Sequence, residues 1–373
     1  MTMSAAYLDW NATAPLRASA RDAMTAALDL TGNPSSVHRF GRDARRLVEA
    51  ARDRVKALVG AGDAGIVFTS GATEANLMAL GGIARPVIRS AVEHVSVAAA
   101  RVEATVCPVD ADGAIDLAAL DAQLRSAGAP ALVSVMAANN ETGVLQPIAA
   151  VAELVHRHAG ILHCDAVQMA GRLAIDMPAL GIDLLSVSSH KLGGPQGVGA
   201  LVVAPGIELR PVARGGGQER GLRPGTENVA GIAGFGAACT AAVAEPGCAA
   251  DVAAMRDRLE REARARAPHT IVVASGAARL PNTTALALPG ADASTIVMAL
   301  DLEGVAVSAG AACSSGKVQP SHVLTAMQVP AAVRQGTIRV SLGPTTVAVE
   351  IDRFLDAWAR IAARLDGGSR AAA

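Results

Sequence analysis

The chain has 373 residues, 51% of them hydrophobic and only 2% aromatic, with 33 Lys and Arg against 34 Asp and Glu for a formal net charge of −1. That length allows two domains, or one large α/β domain with an appendage, around a core supplied by Ala, Val, Leu and Ile. Scattered charge excludes a basic stripe for nucleic acid, and the lack of aromatics excludes base-stacking platforms.

The N-terminal stretch "MTMSAAYLDWNATAPLR" has no basic segment followed by an apolar run, so no signal peptide is expected. From about 60 to 205, short apolar runs alternate with helix-like segments, the rhythm of a largely parallel sheet. The predicted strands are "GIVFTS" (65–70), "PVIRS" (86–90), "ALVSVMA" (131–137), "GILHCD" (160–165), "DLLSVSS" (183–189) and "GALVVA" (199–204). Four of them run into polar clusters, "GATEAN", "ANNETG", "DAVQ" and "SHK". Ligands of open α/β sheets sit beyond the carboxyl ends of the strands, so these clusters point to one ligand.

The longest uncharged stretch, 228–244, has 17 residues rich in Gly and Ala. It is marginal for a membrane span and suits a buried helix, so no membrane partner is expected. Beyond about 250 come a charged helix, "DVAAMRDRLEREARARA", and the strands "TTALALP" (283–289), "GVAVSAG" (304–310) and "TIRVSLG" (337–343). The amphipathic "VAVEIDRFLDAWARIAARL" follows, then a tail, "DGGSRAAA", expected to be unstructured. The expected division is a large domain over 15–254 and a smaller α+β domain made of 1–14 and 255–373.

Five cysteines, at 107, 164, 239, 248 and 313, form an odd set without a CxxC pair. Neither a disulfide framework nor a zinc site is signalled, and a reduced, cytoplasmic setting is expected. Four read as ordinary small core or surface residues. Cys313 differs, because "SAGAACSSGKVQPSH" (308–322) surrounds it with small, polar residues.

Lys191 follows a buried strand, and a lysine at the rim of a core has the lowered pKa that Schiff-base chemistry needs; a surface lysine is the plainer alternative. Asp165 can hold a pyridinium nitrogen protonated or cap a helix, and Gln168 can meet a ring oxygen. "TSGATEAN" (69–76) enters a helix through Gly71, which suits a phosphate, with Ser188 and His190 as further contacts. His94 can stack on a ring and move protons, or simply be structural. Arg339, inside an apolar strand, requires an anion: a substrate carboxylate, or an internal carboxylate partner.

Taken together these residues resemble a family. "TSGATEAN", "ANNETG", "DAVQ", "SSHK", "GGGQERGLRPGTEN" and "SAGAACSS" occur in the order found in the pyridoxal-phosphate-dependent cysteine desulfurases of the NifS/IscS type, within the class V aminotransferase superfamily. The resemblance spans "YLDWNATAP" (7–15) to "TIRVSLG" (337–343), about nine-tenths of the chain. It implies fold type I, with a mostly parallel seven-stranded sheet in a large domain and a smaller α+β domain. It implies pyridoxal 5′-phosphate as cofactor and L-cysteine as substrate. Lys191 then corresponds to the cofactor-bonding lysine, Asp165 and Gln168 to the ring-nitrogen and O3′ partners, and Ala72, Thr73, Ser188 and His190 to phosphate-binding positions.

Thr226 corresponds to a phosphate contact donated by a second subunit, which implies a homodimer. His94 corresponds to the stacking, proton-transferring histidine. Asn140 and Arg339 correspond to binders of cofactor and substrate carboxylate, with Asn11 added on the substrate side. Cys313 corresponds to the persulfide carrier, which passes sulfur to an acceptor protein for iron–sulfur cluster, thio-cofactor or tRNA synthesis. No resident metal is implied, beyond transient ligation of an iron–sulfur cluster by Cys313.

Two departures stand out. The first motif reads "ATAP" where the family has "ATTP", and about thirty residues follow Gly343 where the family has a longer tail that docks a scaffold protein. Selenocysteine lyase, another class V enzyme without sulfur chemistry, and a non-enzymatic scaffold are the alternatives; only the last predicts missing catalytic residues.

Overall fold

The computed structural model describes residues 5–245, 248–310 and 320–371. Twelve strands are formed among them: β1 Ala6–Tyr7, β2 Gly65–Thr69, β3 Val87–Ser90, β4 Thr105–Cys107, β5 Leu132–Ser134, β6 Ile161–Asp165, β7 Leu184–Ser188, β8 Gly199–Val203, β9 Ile271–Val272, β10 Thr283–Ala287, β11 Val305–Ala306 and β12 Thr337–Ser341. Seven of these make the central sheet, in the order β2-β8-β7-β6-β5-β3-β4. All pairings in it are parallel except those of β8 with β7 and β2. The chain is therefore α/β with a mostly parallel seven-stranded sheet. β4, at the edge, is the strand that apolar runs did not announce, since two of its three residues are exposed.

Alternation along the strands supplies both faces of the sheet. Ile66, Phe68, Leu185 and Val187 point into one buried cluster, whereas Val67, Leu184 and Leu201 point into another. A sheet apolar on both faces must be covered twice, which is why helices lie on either side of it. On one side, helix Arg39–Leu58 offers Ala44, Val48, Ala51 and Val55 at helical spacing. It packs on helix Val229–Val243, whose glycines permit close approach: a β-carbon at 236 would lie 2.9 Å from Ala51. That helix, the uncharged stretch of the sequence, is buried along most of its length. Among the described residues no single helix is long and apolar enough to cross a membrane.

A second core joins Ala6 and Leu8 to Leu259, Leu286, Leu300, Ile338, Phe354 and Trp358. Trp358 stacks on Phe354 at 5.6 Å, and its indole N–H donates to Thr270 Oγ1 at 2.9 Å. β12-β10-β9 form an antiparallel sheet here, and β1 pairs in parallel with β11. "GVAVSAG" contributes only Val305 and Ala306 as strand; beyond them Ser308 alone bridges to Arg339. The final helix runs from Ala348 to Ala371, into the tail read as unstructured.

Candidate active site

Six strands of the central sheet run the same way, so the residues that follow β2, β3, β5, β6 and β7 emerge at one edge. A cavity of about 1200 Å³ lies there, lined by Asn11, Ala72, Thr73, His94, Asn140, Asp165, Gln168, Ser188, His190, Lys191 and Arg339, among others. Of the predicted residues that the structure describes, one stands apart from it. Thr226 is exposed and is not part of the lining, and Cys313 lies outside the described residues. Gly310 and Pro320, which flank the segment carrying Cys313, do line the cavity.

Lys191 closes a single 3-10 turn, Ser189–Lys191, directly after β7. Its Nζ donates to the carbonyl oxygens of Asn11 at 2.5 Å and Ala12 at 2.9 Å. Burial, reinforced by Arg339 and Arg172, lowers its pKa from 10.5 to about 8. The amine is thus partly neutral near physiological pH, as a nucleophile toward an aldehyde must be.

Asp165 ends β6 with its carboxylate buried, accepting from Asn76 Nδ2 at 2.8 Å and from the Val167 amide at 3.0 Å. Gln168 donates to the Asn11 carbonyl at 3.1 Å. Below it Arg172, half-buried, donates to the carbonyls of Gln168 and Trp10, and desolvation lowers its pKa to about 9.

The phosphate-type feature forms at the helix Ala72–Gly82. Its N-cap is Gly71, at φ 151° and with no side chain to satisfy the first amides. Gly199 must also lack a side chain, since a β-carbon there would lie 2.7 Å from the Gly71 carbonyl carbon. His190 Nδ1 pairs with Thr13 Oγ1 at 3.1 Å, and burial lowers its pKa to about 4, so the ring is neutral. Glu74 ties the region together, accepting from the Ser70 amide at 2.6 Å and from Arg223 Nε at 2.9 Å, three residues before Thr226.

Arg339 meets both expectations in part. Its guanidinium pairs with Asp9 at 2.7 Å and donates to the Asn140 carbonyl at 3.1 Å. It nevertheless lines the cavity, and its Nε is buried without a partner. Asn11 holds the same Asn140 carbonyl at 3.1 Å while bonding Thr283 at 2.9 Å, so it buttresses the wall.

Several cavity residues escaped the sequence reading: Glu141, Ser96 and His322, with the buried Asn76 and Glu93 behind the wall and Arg172 bonded to Gln168. Asn76 sits in the quoted "TSGATEAN" and Glu141 in "ANNETG", so motif membership was their only signal. Among the described residues no cluster could hold a metal ion. Cys107, Cys164 and Cys239 are buried, and burial raises all three thiols, Cys107 to about 12.

The wall fits pyridoxal 5′-phosphate group by group: uncapped amides for a phosphate, a buried carboxylate for a protonated ring nitrogen, and a lysine of depressed pKa for an aldehyde. The aminotransferase class-V family model matches residues 6–354, and the chain belongs to that family. It is 45% identical over 370 residues to a cysteine desulfurase of Cereibacter sphaeroides, covering 95% of each chain. A NifS-like protein from Rickettsia africae superposes with a TM-score of 0.89 at 34% identity, covering 96% of this chain and 99% of that one. A structure described as SspA in complex with cysteine superposes at 0.77 and 30% identity, over 91% of this chain and 99% of that one.

Proposed function

We propose that the chain is a cysteine desulfurase that uses pyridoxal 5′-phosphate to convert L-cysteine to L-alanine and leaves the sulfur on Cys313 as a persulfide. The observation that carries this reading is that Lys191, Asp165 and His94 surround one cavity whose lining also includes Gly310 and Pro320, the two flanks of the Cys313 segment. The relatives named cysteine desulfurase support the activity, and the cysteine-bound neighbour supports the substrate.

Ala72, Thr73, Ser188 and His190 would hold the phosphate, with Thr226 supplied by a second copy in a homodimer. Asp165, Gln168 and Asn140 would hold the ring. Bound there, the cofactor supplies an electron sink for negative charge at the substrate α-carbon. Lys191, His94 and Cys313 do the rest. Arg339, with Asn11, orients the substrate carboxylate through its fork of N–H donors. Lys191 moves the α-proton as a neutral base, because burial depresses its pKa, and His94, whose pKa burial also lowers, lines the same cavity beside it.

The Cys313 thiolate then bonds the substrate sulfur, the Cβ–S bond breaks, and its electron pair takes up a proton as alanine forms. The persulfide passes to an acceptor protein. Residues 15–254 would carry the cofactor, and residues 1–14 with 255–373 would form the domain that brings Cys313 to it.

Anaerobic alanine release from L-cysteine, with a reductant to clear the persulfide, tests the reading. Wild type is expected to turn over repeatedly and Cys313→Ala to make no alanine while still binding the cofactor. Equal alanine release by both proteins would sink the role of Cys313; silence in both would sink the substrate.

A further inference from the structure

His94 is the N-cap of the short helix Val95–Ala100, and its Nδ1 accepts the Ser96 backbone N–H at 3.2 Å. The same nitrogen lies 2.8 Å from Ser96 Oγ. Ser96 Oγ in turn accepts from Asn76 Nδ2 at 2.9 Å, and the other hydrogen of that amide goes to Asp165 Oδ2 at 2.8 Å. Asn76 is fully buried, so the direction of each bond follows from what its partner can do. Turning the Asn76 amide over would set its oxygen against a carboxylate. Its nitrogen must face Asp165, and the Ser96 oxygen, already accepting from it, has its hydroxyl hydrogen free for His94. His94 Nδ1 therefore receives two hydrogens and can carry none.

We propose that Asn76 and Ser96 are positioning residues that lock His94 in the tautomer with its proton on Nε2 and tie that lock to the Asp165 carboxylate. One chain of hydrogen bonds, Asp165–Asn76–Ser96–His94, then sets two sides of the cavity together. Its consequence for catalysis rests on the function proposed above: a neutral ring locked this way offers the cavity an Nε2–H donor and keeps its one basic lone pair, on Nδ1, occupied, so His94 acts by donating a hydrogen bond through Nε2 and not as a base. Charging Nδ1 instead would put its N–H against the Ser96 amide hydrogen. Asp165, Lys191 and His322 also act on the ring, Asp165 favouring the cation and the other two opposing it, with the buried Glu93 next in sequence.

The test is side-chain 15N NMR of the full chain labelled in histidine, loaded with pyridoxal phosphate and again after its removal. His94→Gln assigns the His94 signals. Wild type is expected to show a neutral ring protonated on Nε2 in both states. Ser96→Ala and Asn76→Ala should each move the tautomer ratio about fivefold toward Nδ1–H, the effect of one lost hydrogen bond. Ser96→Thr, which keeps the hydroxyl, should restore it. A proton on Nδ1 in wild type, or the wild-type ratio in both alanine variants, would overturn the proposal. If Asn76→Ala fails to fold, the Ser96→Ala and Ser96→Thr pair decides. The NMR result stands apart from turnover, so an inactive protein with the expected tautomer would discredit the desulfurase reading alone.

Discussion

At the scale of single residues, the site is a set of groups held away from their ordinary charge states. Lys191 is the clearest, with its pKa lowered to about 8 by burial and two guanidinium groups. Capture of pyridoxal phosphate by stripped protein should therefore accelerate with pH around a midpoint near 8, followed by visible absorbance. A midpoint near the usual lysine value would refute the environment described, and Lys191→Ala should abolish the absorbing bond. In the sequence this residue was legible only in company: a lysine directly after an apolar strand is more often a surface lysine, and the neighbouring motifs set it apart. Arg339 was half legible: an arginine in a buried strand demanded an anion, but Asp9, 330 residues away, could be found only from the fold. Asn76 carried only its place in a motif and Ser96 no signal at all, since the two pair with each other across helices.

Elements were read more completely than sites. Runs of alternating or continuous apolar residues located six strands of the central sheet, and the edge strand β4 was missed because exposure leaves no apolar pattern. β6 carries a feature that pattern reading passes over. His163 is fully buried between Ser134 at 2.8 Å and Ser186 at 3.0 Å, one hydroxyl from each neighbouring strand, and its pKa falls from 6.5 to about 4 through burial.

Above pH 6.5 the ring is neutral folded or unfolded and contributes no pH dependence. Between 6.5 and 4 only the unfolded chain takes the proton, so stability drops as pH falls, by about 3 kcal/mol at the lower end. Denaturant melts should show that loss in wild type and a shallower one in His163→Gln; parallel pH curves would exclude the assignment.

A second element-level device is the segment Gln218–Gly221, where Glu219 and Arg220 take positive φ of 45° and 59°. Glu219 is held there by Arg52 at 2.9 and 3.1 Å and by the Phe68 amide at 3.0 Å. Removing its carboxylate leaves the buried guanidinium only the more exposed Glu49 and the Ile66 carbonyl, so Glu219→Ala should cost about 3 kcal/mol in denaturant midpoint experiments. A loss under 1 kcal/mol would mean that Glu49 alone suffices to hold Arg52.

For the whole molecule, the decisive property is that its cavity is assembled from distant stretches of chain. If Thr226 completes the partner's site, a 1:1 mixture of Lys191→Ala and Thr226→Ala chains, unfolded and refolded together, should regain activity. Half of the dimers would be mixed, each with one intact site, so about a quarter of wild-type activity is expected. Recovery no greater than the sum of the separate proteins would place Thr226 outside the site. The order of synthesis adds a consequence of the Asn11 contacts. Its carbonyl faces Lys191, but its side chain is braced by Thr283 and Asn282, and Arg339 comes 148 residues after the lysine. A ribosome adding 5–20 residues per second leaves roughly 7 to 30 seconds between the two. During that interval Lys191 lacks the burial and the Arg339 charge that lower its pKa, so its amine stays an ordinary protonated lysine until the last strand closes the pocket around it.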